Sequence, residues 1–235
     1  MQFGEDPLIK NRMERVSGLI VAAGASRRMG FDKITAPLAG RPLLVWSLAA
    51  FEACGAIGQS VLVCPESRID EFSALAEPFA KFRLVVPGGA ERAESVLNGL
   101  SALEAFSPDL VAVHDAARPL VTPSLISAVV AAAAEYDAAV AAEPVSDTLH
   151  RAGAGGFLAE TVSRDHLWAM QTPQVAGYSV LRRAIEAGRT LTDEISALIL
   201  AGIRPKPVFH DGLNFKVTFP RDIALAEAVL ALRED

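Results

Sequence analysis

Short apolar runs alternating with segments of helical spacing set the strongest limit on what this chain can become. The runs are Leu19–Val21, Ser60–Cys64, Phe82–Val86, Leu110–Val113 and Ala138–Ala142. Each is too short for a helix and suited to a buried strand. After Pro42, which suits a first helical turn, Leu43, Leu44, Trp46, Leu48 and Phe51 recur at helical spacing to Cys54. Further helices are predicted over Ser67–Phe79, over Glu91–Ala105 with Val96, Leu100 and Leu103 on one face, and from Thr122 to Tyr136. Thr122 can cap the last of these, with Pro123 in its first turn. Strand–helix units of this length imply parallel strands with helices on both faces. The expected fold class is therefore α/β, a Rossmann-like, mostly parallel sheet.

In such sheets ligands bind beyond the carboxyl ends of the strands. Three polar clusters fall at those ends: Ala22 to Lys33, Gly88-Gly89 through Ser95, and His114 through Arg118. In the first, small residues and Gly24 let backbone N–H groups approach an anion closely. Arg28 and Lys33 add positive charge, so this loop suits a triphosphate. It is neither a G-x-x-x-x-G-K-[ST] loop nor a G-x-G-x-x-G loop, which disfavours a P-loop ATPase and an ordinary dinucleotide enzyme.

A formal charge of -6 with no basic run argues against nucleic acid as a partner. No run reaches transmembrane length, and residues 1–15 lack the apolar stretch of a secretory signal; they read as a mobile leader before one domain over 16–235. Cys54 and Cys64 read as buried reduced thiols, which fits a cytoplasmic protein.

Past Pro144 the rhythm breaks. Val145–Arg151, a turn at Gly153–Gly156 and Leu158–Arg164 form an expected β-arm at about 144–166. Helices over Gly177–Ala187 and Asp193–Ala201 follow, the second with Thr192 placed to cap it. Short strands over Lys206–Phe209 and Asn214–Val217 precede a last helix, Pro220–Leu232. Trp46 and Trp168 are expected in the core, and His114 in a structural role.

Several of these residues together resemble the 2-C-methyl-D-erythritol 4-phosphate cytidylyltransferase family. They are Ala22-Ala23-Gly24, Arg28-Met29-Gly30, Lys33, Gly88-Gly89 with Arg92 and Ser95-Val96, and His114-Asp115-Ala116-Ala117-Arg118-Pro119. Asp147-Thr148, Trp168 with Gln171-Thr172-Pro173-Gln174, Thr192-Asp193-Glu194 and Lys216-Val217-Thr218 complete the set. The resemblance implies a nucleotidyltransferase fold with an inserted β-arm. It implies transfer of CMP from CTP to 2-C-methyl-D-erythritol 4-phosphate, with release of pyrophosphate, in the non-mevalonate isoprenoid route. By the same resemblance Ala22, Ala23 and Gly24 wrap the nucleotide, Gly89 and Ser95 read cytosine, and Asp115 with Ala116 holds the ribose end. Arg28, Lys33 and Lys216 surround the phosphates as the catalytic cations. Thr148, Arg164, Thr172 and Thr192 bind the sugar phosphate, the arm reaching the neighbouring subunit of a homodimer. Mg²⁺ is the implied metal, held mainly by CTP phosphates with Asp115 its candidate protein ligand.

A phosphate monoester with a second pKa near about 6 is already ionised at neutral pH, so no general base is needed. What the reaction needs is charge neutralisation. A cytidylyltransferase for another polyol phosphate, such as ribitol 5-phosphate, and a nucleotide-binding protein without turnover stay open as alternatives. So does, more remotely, a Rossmann oxidoreductase.

Overall fold

The computed structural model describes residues 15–24, 29–188, 193–210 and 212–234. Strand β1 (Val16–Val21) is followed by a small ribbon, β2 (Pro37–Leu38) with β3 (Arg41–Pro42), and by helix α1 (Leu43–Ala53). Next come β4 (Ser60–Cys64), α2 (Ile69–Ala76), β5 (Phe82–Pro87), α3 (Arg92–Leu103), β6 (Leu110–Asp115), α4 (Pro123–Tyr136) and β7 (Ala138–Pro144). A two-stranded hairpin, β8 (Leu149–Ala152) and β9 (Leu158–Val162), stands apart from the main sheet. The chain re-enters the sheet as β10 (Trp168–Gly177), then forms α5 (Tyr178–Ala187), α6 (Glu194–Leu200), β11 (Lys206–Val208) and α7 (Arg221–Glu234).

The seven-stranded sheet runs β11-β7-β10-β6-β1-β4-β5. All its pairings are parallel except those of β10, which is antiparallel to both β6 and β7. Alternate side chains of each central strand enter opposite cores, the period-two consequence of the pleat. Ile20, Leu62 and Ala112 face Leu44, Leu48 and Phe51 of α1, Phe72 of α2, and Ile126 and Val129 of α4. Leu19, Val61, Val63, Val111 and Val113 face Val96 and Leu100 of α3, Leu181 of α5 and Leu198 of α6. A third cluster, with Met29, Leu38, Leu43, Val217 and Leu230, seats α7 against the ribbon. Buried on both faces, these strands need continuous apolar sequence, which is why the first half was legible.

Four expectations fail. Strand β10 lay inside a stretch read as irregular or helical; Pro173 interrupts it and the pairing with β7 shifts register between Met170 and Gln174. Such a bulge is where a strand tolerates proline, and it hides the alternation that reveals a strand. No strand forms over Asn214–Val217. That segment is pinned by individual bonds instead: Val217 N donates to Ala117 O (2.8 Å), and Asn214 Nδ2 donates to Thr172 O (2.9 Å). The cap of α6 is Asp193, whose carboxylate accepts from Ser196 N at 3.0 Å, and Thr192 lies outside the described residues. The tryptophans are half-buried rather than core: Trp46 donates its Nε1–H to Leu38 O and lies under Arg41. Thr122 does cap α4, accepting from Leu125 N at 3.2 Å.

Both cysteines are buried and free, and burial pushes the Cys64 thiol up to about 11. His114 is fully buried between Thr172 Oγ1 (3.0 Å from Nδ1) and Arg118 O (3.2 Å from Nε2). Burial pushes its pKa down from 6.5 to about 4, so it is neutral in the fold but takes a proton more readily when unfolded. Stability is then fully present above pH 6.5 and falls as the pH drops toward 4. The loss should be on the order of 3 kcal/mol. Urea denaturation at pH 7 and pH 4.5 should show it, and His114→Gln should flatten the dependence; an unchanged slope in that variant would refute the assignment.

Candidate active site

The order of the strands places a cavity. From β1 the chain winds outward through β4 to β5, then returns to the other side of β1 with β6. At this reversal the connections leaving β1 and β6 diverge, opening a crevice at the carboxyl ends of the strands. A cavity of about 460 Å³ occupies it. Its walls include Ala22, Ala23 and Gly24 beyond β1, Gly89 and Ser95 beyond β5, Asp115 at the end of β6, and Lys33 and Lys216.

Close packing shapes the wall beyond β5. A Cβ on Gly88 would stand 2.5 Å from the Ala23 Cβ and 2.8 Å from Ser95 Oγ. Both neighbours are short and anchored to backbone, so the two loops could not keep their spacing. Gly88→Ala should therefore weaken ligand binding in the cavity about tenfold, with the thermal midpoint little changed. Calorimetric titration of the two proteins with a nucleoside triphosphate checks it. Ser95 Oγ accepts from Gly89 N (3.1 Å) and donates its proton to Glu91 O (3.1 Å), so it holds this turn closed. Glu91 and Glu94 form a capping box at the start of α3, satisfying its first amides.

The floor is an ion cluster. Asp115 Oδ2 accepts from Lys216 Nζ at 2.6 Å, and Asp115 Oδ1 from Arg92 Nη2 at 3.0 Å. Arg92 also forks onto Glu194, through Nη1 to Oε1 (2.5 Å) and Nη2 to Oε2 (3.0 Å). Burial would raise the Asp115 pKa, but Arg92 and Lys216 outweigh it and hold the carboxyl well below the usual carboxylate range. Glu194 is only 2% exposed; burial lifts its pKa despite the pull of Arg92. Lys33 is 8% exposed and donates Nζ–H to Val217 O at 2.8 Å. Lys33 and Lys216 thus enter one cavity from segments far apart in sequence, and Arg92 stands beside them. An anion with several charges suits this arrangement.

A family model of 2-C-methyl-D-erythritol 4-phosphate cytidylyltransferase matches residues 16–232. The chain belongs to that family. A cytidylyltransferase of this name from Pelotomaculum thermopropionicum is 40% identical over 233 residues, covering 94% of this chain and 97% of that protein. One from Ralstonia nicotianae is 46% identical over 230 residues, covering 91% and 90%. Among solved structures, the crystal structure of the enzyme from Thermus thermophilus aligns with a TM-score of 0.73 at 32% identity, over 91% of this chain and 98% of that one.

The cavity gathers Ala22, Ala23, Gly24, Lys33, Gly89, Ser95, Asp115 and Lys216 from the residues expected on the family resemblance. Ala116 is fully buried with its N–H given to Val21 O, and Ala117 lines the wall instead. Thr172 is 3% exposed; its hydroxyl accepts from Asp115 N at 3.1 Å and meets His114, so it braces the end of β6. Thr148 and Arg164 lie exposed at the base of the hairpin, where Arg164 Nη1 donates to Ser146 O. Arg28 and Thr192 fall outside the described residues. Arg92 and Glu194 received no role from sequence, although both stood in the motif set. The signal available for Arg92 was its place just after the Gly88-Gly89 turn; nothing local marked Glu194, 102 residues away, as its partner.

Proposed function

We propose that this chain transfers CMP from CTP to 2-C-methyl-D-erythritol 4-phosphate, releasing pyrophosphate. What carries the reading is the convergence of Lys33 and Lys216 with Arg92 and Asp115 in one cavity of a cytidylyltransferase-family fold. An ionised oxygen of the acceptor phosphate attacks the α-phosphorus, the bond from that phosphorus to the bridging oxygen breaks, and pyrophosphate departs with the electron pair. The two lysines stabilise charge on the five-coordinate phosphorus, and Arg28 holds the triphosphate. Ala22, Ala23 and Gly24 wrap the nucleotide, Gly89 and Ser95 face the cytosine, and Asp115 takes the ribose end, with Ala117 on the wall where Ala116 is buried. Because Arg92 and Lys216 leave Asp115 charged and oriented, it presents an acceptor whose position does not depend on the ligand.

Among the described residues no three carboxylate, imidazole or thiol groups converge to hold a metal, and both Asp115 oxygens already accept from cations. Mg²⁺ therefore fits as a companion of CTP, held mainly by phosphate oxygens, with Asp115 its one candidate protein ligand. It would supply further neutralisation of the phosphates.

The segment at about 144–166 is the dimerisation arm of a single domain, 16–235, in this reading. At the hairpin tip Phe157 is 81% exposed and Leu158 71%, apolar surface that a second protomer would cover. Thr148 and Arg164 would then serve the partner's acceptor site with Thr192, while the buried Thr172 braces the end of β6. Among the described residues no helix is long and apolar enough to cross a membrane, and the substrates suit an enzyme of the cytoplasm. The deciding experiment measures pyrophosphate release from CTP and Mg²⁺ with methylerythritol phosphate or ribitol phosphate as acceptor. Turnover with the first alone supports the assignment; turnover only with ribitol phosphate moves the acceptor, and binding of CTP without turnover on either removes it.

A further inference from the structure

Outside the cavity, on the rim above β4, lies a hydrogen-bonded cluster that the reaction does not use. Arg68, in the single turn preceding α2, forks onto Glu71 through Nε and Nη2, both at 2.7 Å. Its remaining donors leave the helix: Nη1 reaches Asp32 Oδ2 at 2.5 Å, and Nη2 reaches Thr35 Oγ1 at 3.1 Å. Asp32 closes the network by accepting from Thr35 Oγ1 at 2.6 Å and from Ile34 N at 3.1 Å. Arg68 is further seated over the Phe72 ring, 5.0 Å from its centroid. One guanidinium thus fixes a four-residue loop at two side chains, and that loop contains Lys33.

We propose that Arg68 is a positioning residue that aims Lys33 into the cavity by clamping Asp32 and Thr35. The inference rests on the reading of Lys33 as a catalytic lysine. Asp32 and Lys33 are adjacent, and an unengaged Asp32 carboxylate would be the nearest counterion for the lysine in an open loop. With that carboxylate turned outward to Arg68, Lys33 turns inward, where it is 8% exposed and reaches Val217 O. Glu71 matters because it occupies the other edge of the guanidinium, leaving Arg68 one orientation. Neither Arg68 nor Asp32 lines the cavity, so the effect passes through the loop.

A double-mutant cycle tests this, run under single-turnover conditions with excess enzyme so that slow variants remain measurable. Arg68→Ala should lower the rate about ten- to a hundredfold, since a displacement near 1 Å of a reacting group can cost that much. In a Lys33→Ala background the same substitution should cost less than about twofold, because the two act as one unit. Equal losses in both backgrounds would make Arg68 merely structural, and an unchanged rate in Arg68→Ala would remove the clamp; either overturns the proposal. A Lys33→Ala enzyme of normal rate would instead overturn the reading of Lys33 itself. Should Arg68→Ala fail to fold by its thermal melt, Thr35→Val cuts one link and leaves the Arg68–Glu71 fork. Its rate should fall several-fold and lose that dependence without Lys33, and an unchanged rate sinks the idea.

Discussion

Lys216→Ala should lower kcat by about a hundredfold or more while leaving the fold intact. Removing one preorganised donor from the site of charge development costs about 3 kcal/mol of barrier, and each 1.36 kcal/mol is tenfold. Lys216 is suited to that role because its ammonium is set before substrate arrives, 2.6 Å from Asp115 Oδ2. The loss should fall on kcat more than on the KM for CTP, since the interaction strengthens as the phosphorus gains its fifth oxygen. Lys216→Arg keeps the charge but is longer and planar, so recovery should be partial. Stability should change little: Arg92 still faces Asp115, and the lysine side chain is 36% exposed. A kcat within twofold of the parent would remove Lys216 from the chemistry.

The second large effect is on stability. Arg92→Ala leaves the Glu194 carboxylate buried without its fork, and removing one member of such a pair costs about 3–5 kcal/mol. The pH dependence has a definite sign. Burial already raises the Glu194 pKa, and without Arg92 it rises further, so at neutral pH the variant must either bury a bare charge or take up a proton. A raised folded pKa favours the fold at low pH and is lost as pH rises, so the deficit should be largest at pH 8 and shrink toward pH 5. Denaturant titrations at both values, with Glu194→Gln added to relieve the unpaired charge, measure this. A deficit independent of pH and unrelieved by Glu194→Gln would mean that Arg92 stabilises through packing alone.

Much of this protein could be read before its structure. Strands β1, β4, β6 and β7 are buried on both faces and so had to be continuous apolar runs. Helix α4 carried its own cap in Thr122-Pro123, and the hairpin its glycine turn. The clusters around Gly24, Gly88-Gly89 and Asp115 were placed at the cavity by the parallel-sheet rule alone, because every such strand delivers its carboxyl end to one rim. These features are local: composition, spacing and a few turn residues encode them.

What sequence could not give was whatever depends on partners distant along the chain. Strand β10 is defined by its neighbours β6 and β7, and Pro173 erased its internal pattern. The segment bearing Lys216 has no regular structure because single bonds to Ala117, Arg118 and Thr172 hold it in place of a ladder. Arg92 with Glu194, and Arg68 with Asp32, are ion pairs across 102 and 36 residues. A charged side chain carries no mark of which opposite charge it will meet. Burial and orientation choose among the candidates, and both exist only once the chain has folded.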